Sequence, residues 1–281
     1  MAKNKNEQPQ YYISPINTQV MNYAVYVMKP TEKLMTRAIL FVLGGLVGMI
    51  FYGGLFKSEG QATLLTTISD VIVFSIVGLI ANKIFFDMVV ESKRIKRINI
   101  LKQQFCDFLS ALANSLSSGM NMNDSLLAVY NDLREQFSDD AHIVVEIKEI
   151  IGGMNNNIPI EEMLMQFGIR SGVDDIVNFA TVFSTCYRTG GDIKSVVRRT
   201  ADIISEKVMI SSEIQTAMTS NKMQMNVMNV LPLVIVQMMK MLSSAFAESF
   251  ATIIGVFGLT ITLSLTFAAF KMGQKITDIK G

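Results

Sequence analysis

Four stretches of hydrophobic residues, two before and two after a long polar segment, limit what this chain can become. Residues Ala38 to Phe56 run 19 positions without a charge, and Ser249 to Phe270 run 22. At about 1.5 Å per helical residue, roughly 20 residues cross a hydrocarbon core of about 30 Å, so each stretch predicts a membrane-spanning helix. The other two are interrupted: Leu64 to Val90 carries Asp70 near its start and Lys83 towards its end, and Met223 to Ala247 carries Lys240. The pattern predicts an all-α polytopic membrane protein, four transmembrane helices with a helical bundle between the second and third. Its expected divisions are an N-terminal segment over 1–37, two spans over 38–90, the bundle over 91–222, two spans over 223–272 and a tail over 273–281.

Basic residues near short loops stay in the cytoplasm during insertion, and they orient this chain. Glu91 to Lys102 holds five positive charges and one negative; Lys29, Lys33 and Arg37 precede the first span, and Lys271, Lys275 and Lys280 follow the fourth. The loops within each pair of spans hold only Lys57 with Glu59, and Glu248. Both termini and the bundle are therefore expected in the cytoplasm of a multi-pass inner or plasma membrane protein. No cleavable signal peptide is expected, because the first 30 residues lack a short apolar core. Val20 to Met28 is expected as a short interfacial helix with Met21, Tyr23, Tyr26 and Val27 towards lipid.

The net charge of +1 hides a separation: Asn99 to Lys222 holds 16 acidic and 10 basic residues, net −6, which leaves +7 elsewhere. An acidic bundle has no electrostatic reason to bind nucleic acid. The basic cluster beside the membrane suits anionic lipid headgroups. Cys106 and Cys186 lie in apolar helical contexts and are expected as buried small hydrophobes rather than a disulfide.

Within the bundle, apolar residues recur every three or four positions from Leu101 to Leu116, a helical stripe. Asn121 with Asp124 is a capping arrangement for a second helix. A third is expected from about Asp140 to Ile151, a fourth with Pro159 as its first helical residue, and a fifth from Asp174 to Arg188. Strand signals are absent. Phe108 to Leu126 and Phe179 to Val197 align without gaps at an offset of 71, each a helix running to a glycine eleven positions on and then a new helix. Gly153 to Leu164 repeats the turn half. Gly119, and one of Gly190 and Gly191, are expected in the left-handed conformation that caps helix C-termini.

Taken in order, Phe105 to Leu116, Ser118-Gly119 to Leu126, Thr189-Gly190-Gly191-Asp192 to Val197, a long polar helix and Asn229-Val-Leu-Pro232 resemble the F-domain family of type II secretion and type IV pilus machines. The layout is most similar to the branch found in tight-adherence (Flp) pilus systems. The resemblance implies a non-enzymatic membrane platform between a cytoplasmic secretion ATPase and pilin subunits, paired with a paralogous platform protein in a homo- or hetero-oligomer. The acidic residue usual near the Thr-Gly turn of relatives is replaced here by Tyr187-Arg188.

No phosphate loop, zinc-protease motif, nucleophile elbow or metal-spaced Cys/His cluster occurs, so no catalytic residue, cofactor or metal is expected. The single histidine, His142, is expected as a surface or half-buried residue near a helix start. Partner-binding candidates are Gly119, Arg188, Gly190, Gly191, Asp192, Arg198 and Arg199. Asp70, Lys83 and Lys240 are the intramembrane polar candidates, and Asp70 and Lys83 stand about 20 Å apart along one helix, too far to pair. Met218, Met223, Met225, Met228, Met238, Met239 and Met241 crowd the third span and its approach, where flexible thioethers suit a surface that repacks; Pro232 is expected to kink the helix there. An oligomeric transporter or channel is the alternative reading, and a prepilin peptidase would need paired membrane-level aspartates, for which only Asp70 is taken as a candidate.

Overall fold

The computed structural model describes residues 9–53, 64–243, 249–250 and 252–277. Lys57, Glu59, Glu248 and Lys280, used above for orientation, lie outside them. The chain divides into two compact units, one formed by residues 9–27 with Val90–Ile210 and the other by Met28–Val89 with Ser211–Gly281.

Helices account for most of the described chain: α1 (Pro30–Tyr52), α2 (Leu64–Ser117), α3 (Met122–Gln136), α4 (His142–Asn155), α5 (Ile160–Ser171), α6 (Asp174–Thr189), α7 (Ile193–Leu242) and α8 (Ile253–Thr277). Four of them, α1, α2, α7 and α8, are long and apolar enough to cross a membrane. The second span and the first bundle helix are one continuous helix, α2, since no glycine or proline interrupts the sequence between them. Helix α7 likewise continues through Pro232.

In the first unit, the apolar stripes of α2 to α7 meet in one core. Leu101, Phe105, Phe108, Leu109 and Leu112 of α2 pack with Leu126, Val129 and Leu133 of α3, Ile147 of α4, Phe167 of α5, Phe179 and Phe183 of α6, and Val197 and Ile204 of α7. The Phe105 ring is a hub, 5.6 Å from Phe179, 5.8 Å from Phe108 and 6.1 Å from Phe167, tilted or edge-on arrangements that aromatic quadrupoles favour. In the second unit, α1 lays Gly44, Gly45 and Gly48 against Phe74, Val77, Gly78 and Ala81 of α2, so closely that a side chain at Gly44 or Gly45 would clash. Without a hydrophobic drive between helices in lipid, such close approach supplies the association.

Three expectations are corrected. Residues 20–28 form no interfacial helix: β1 (Tyr11–Ile13) and β2 (Gln19–Met21) make an antiparallel hairpin, Tyr12 opposite Val20, and an extended strap follows. The hairpin turns through Ser14 to Thr18, with Asn17 at φ 63° and the Ser14 N–H donating to the Thr18 carbonyl at 2.9 Å. Short β-prone triplets around a Ser-Pro-Ile-Asn turn carry too little pattern to outweigh a helical spacing in the sequence. Helix α5 begins after Pro159, which is its N-cap. Gly153 is helical, and the third turn takes its left-handed residue from Asn157, at φ 60°.

The other two turns follow the glycines. Gly119 is at φ 86° and Gly190 at φ 70°, whereas Gly191 is not left-handed. Asn121 caps α3 by accepting from the Asp124 N–H at 2.9 Å. Gly190→Ala is expected to destabilise the protein by about 1 kcal/mol and Gly191→Ala by much less, measured as denaturant midpoints on the purified chain, because only the first forces an L-residue to positive φ.

Candidate functional site

Because the bundle helices alternate in direction, their turns collect at two ends, and each end has its own chemistry. At one end stand the left-handed turns at Gly119, Asn157 and Gly190. Lys194 Nζ donates to the Ser117 carbonyl at 3.2 Å, joining the start of α7 to the end of α2, and Arg188 Nε donates to Glu161 Oε1 at 3.4 Å, joining the end of α6 to the start of α5. Gly119, Arg188, Gly190, Gly191 and Asp192 are thereby brought together, all exposed. Space around Gly119 and Gly190 is open where a Cβ would project. Asp192 Oδ1 accepts from the Ser195 N–H at 3.1 Å and caps α7. Arg198 and Arg199 follow on α7, both exposed, and flank the buried Val197.

The opposite end holds a buried polar cluster that sequence reasoning missed. Glu146 of α4 is 1% exposed and Arg170 of α5 8%. They pair in a fork, Nη2 to Oε2 at 2.6 Å and Nη1 to Oε1 at 2.9 Å. The strap closes over this pair. Tyr23, 1% exposed, donates its hydroxyl to Glu146 Oε1 at 3.0 Å and its N–H to the Arg170 carbonyl at 2.9 Å. Arg170 Nη1 also donates to the Met21 carbonyl at 2.9 Å. Arg97 of α2 adds a second guanidinium, its Nη2 donating to the carbonyls of Tyr23 at 3.0 Å and Val25 at 2.6 Å, with Asn22 at 3.4 Å. Glu149, one turn on from Glu146, accepts from the hydroxyls of Ser14 and Thr18 and so holds the hairpin turn. Gly172, at φ 64° after α5, lies against Ala24 of the strap.

Burial and the Glu146 carboxylate raise the Tyr23 hydroxyl far above its usual range, so it stays a proton donor. Burial also pulls Arg97 down from its ordinary value. His142 opens α4 with its ring edge-on to Tyr23 at 5.3 Å; burial first, and then the charge of Arg97, lowers it. Arg97 belongs to the membrane-side basic run between Glu91 and Lys102, and Glu146 and Arg170 fall in none of the motifs read from the sequence. One hint was available, the apolar setting of Glu146 in Ile-Val-Val-Glu-Ile.

In the second unit, Lys240 sits in the last turn of α7. Its Nζ donates to the carbonyls of Ile50 at 3.1 Å and Phe51 at 2.6 Å, closing groups at the C-terminus of α1 that its own helix leaves open. Asp70 is half-buried on α2 and Lys83 exposed. Met225 and Met228 line an open groove of about 640 Å³ with Asn229, Pro232 and Leu265. Cys106 and Cys186 are half-buried free thiols, Cys106 Sγ lying 2.9 Å from Ser205 Oγ. Among the described residues no cluster of His, Cys, Asp and Glu could hold a metal ion.

Residues 108–240 match the family described as Type II secretion system (T2SS), protein F. The matched stretch takes in the end of α2, all of α3 to α6 and α7 as far as Lys240, and with it both ends of the bundle. It leaves out the strap and Arg97. The helical fold with four span-length helices agrees with this family. No match is found among curated proteins or among solved structures.

Two outcomes test the buried cluster. Arg170→Leu leaves the Glu146 carboxylate buried without its partner and is expected to cost about 3–5 kcal/mol, while the double change Glu146→Leu with Arg170→Leu recovers much of it in the same denaturation series. For His142, a folded value below the unfolded one, about 6.5, means that its stabilising contribution is full above that pH and is lost as pH falls. Acidification from about pH 7.5 to about 5.5 should lower the thermal midpoint, and His142→Phe, which keeps a ring against Tyr23, should flatten part of that slope.

Proposed function

We propose that the chain is a non-enzymatic platform of a pilus or type II secretion-like assembly machine in the inner membrane, coupling a cytoplasmic ATPase to the extraction and assembly of pilin subunits. The match of residues 108–240 to T2SS protein F carries this reading, and the four span-length helices support it. The Flp branch, a paralogous partner platform and the cytoplasmic placement of both termini belong to the same proposal, on the layout and charge bias described above.

The ATPase contact is assigned to the end of the bundle that carries Gly119, Gly190 and Asp192, with Arg188, Arg198 and Arg199 as its charged surface. These residues stand away from the strap-bearing end and are open to a partner. Pilin contact is assigned to the apolar helices, where the Met225 and Met228 groove offers flexible side chains. A cation at the turn end is no part of the proposal.

Arg198→Glu with Arg199→Glu is expected to weaken pulldown of the cognate ATPase at least tenfold and to abolish pilus assembly while the protein stays folded and inserted, since interface charges govern docking more than fold stability. Wild-type binding and piliation in that double variant would remove this face as the coupling surface.

A further inference from the structure

A strap gripped so firmly, and so near the first residue of α1, has a mechanical meaning. We infer that the N-terminal strap is a force-bearing tie that makes α1 follow the helical bundle when the bundle moves. The inference rests on the coupling-platform reading and adds to it a second line of transmission, beside the continuous helices α2 and α7.

The position of the grip argues for this. The last residue held through its backbone is Val25, whose carbonyl takes the shortest of the Arg97 bonds, 2.6 Å. The Arg97 guanidinium also lies over the Tyr26 ring, 5.0 Å from its centroid. Helix α1 opens at Pro30, and the Lys29 carbonyl already accepts from the Lys33 N–H at 2.8 Å. Only Val27 and Met28 are left between the grip and the ordered start of the helix. Two residues span at most about 7 Å, so there is little slack to take up before tension reaches α1.

The distribution of bonds argues for it too. A segment pulled from one end peels from that end, so load concentrates on the first bonds met. Here those are the bonds to residues 21–25, made by two arginines that are both about nine-tenths buried. Charge-assisted hydrogen bonds in a dry setting are among the strongest available. The far end of the segment is held more lightly, through Glu149 and the hairpin hydroxyls, and Ile13 there is 75% exposed. Most of the bonds from Arg97 and Arg170 to residues 21–25 go to backbone carbonyls, so the grip depends on the path of the chain; the side chains add the Met21 sulfur, which accepts from Arg97 Nη1, and the Tyr23 hydroxyl, which donates to Glu146.

The test adds slack without loosening the grip. A flexible Gly/Ser insert of about eight residues between Val27 and Met28 of the full chain lengthens the connection by roughly 15 Å. In nanodiscs, amide exchange over residues 21–25 should stay as slow as in the wild type, while pilus assembly in cells falls at least tenfold. A second variant, Tyr23→Phe with Arg97→Gln, lets go of the strap and keeps the native connection. Its exchange should rise at least tenfold over residues 21–25 and also over the first turns of α1, residues 30–37, whereas in the insertion variant the two regions respond independently. Wild-type piliation by the insertion variant overturns the tie and leaves the strap as a cover for the bundle. Unchanged exchange over 30–37 in the second variant overturns it as well, and that readout stands even where the wild-type chain supports no pilus assembly, the result that would sink the platform reading instead.

Discussion

A carboxylate shut away from water must be neutralised and hydrogen-bonded or the fold that buries it will not form. Glu146 meets that requirement with the Arg170 fork and the Tyr23 hydroxyl, and its partners decide the architecture of the whole helical bundle. Arg170 fixes α5 against α4, and Tyr23 fixes the strap against both. Arg97 brings α2 to the same place by way of the strap carbonyls. An apolar core of leucines and phenylalanines would tolerate several arrangements of these helices. The ionic cluster admits far fewer, because each displaced group would leave a charge uncompensated.

The helices were readable because each carries a stripe of period 3.6 and a recognisable start or stop, as with Asn121 before α3 or Gly190 after α6. Their termini shifted by a residue or two where a cap lies outside the helix, as Pro159 does. The strap was not readable. Its strands are three residues each, it borrows its order from residues far along the chain, and the spacing of Met21, Tyr23, Tyr26 and Val27 imitates an amphipathic helix. Lys240 was visible as a charge within an apolar run but its partners were not: nothing local links it to the carbonyls of Ile50 and Phe51. For the candidate site, the residues at the turn end were legible from the repeated glycine pattern, and the structure gathers them because alternate turns of an antiparallel bundle must share an end.

The third turn shows how far such a repeat constrains sequence. Two turns use glycine at positive φ, and the third uses Asn157, the residue whose short side chain best tolerates that region. What recurs is a backbone conformation, and the glycines at 152 and 153 serve a different need. Gly153 admits the Met163 side chain against α4. An echo in sequence and an echo in conformation can therefore be displaced by several residues from one another.

The cluster also imposes an order on synthesis. Tyr23 waits for Glu146, 123 residues later, and Met21 for Arg170, 149 residues later. At about 5–20 residues per second the strap leaves the ribosome on the order of 10 s before its last partner does. Throughout that interval two short strands, one of them made of Tyr11, Tyr12 and Ile13, precede a nascent span-length helix without their partners in the bundle. The amino terminus is thus the first part of the bundle to be made and among the last to be fixed, so the folding of this protein closes on its own beginning.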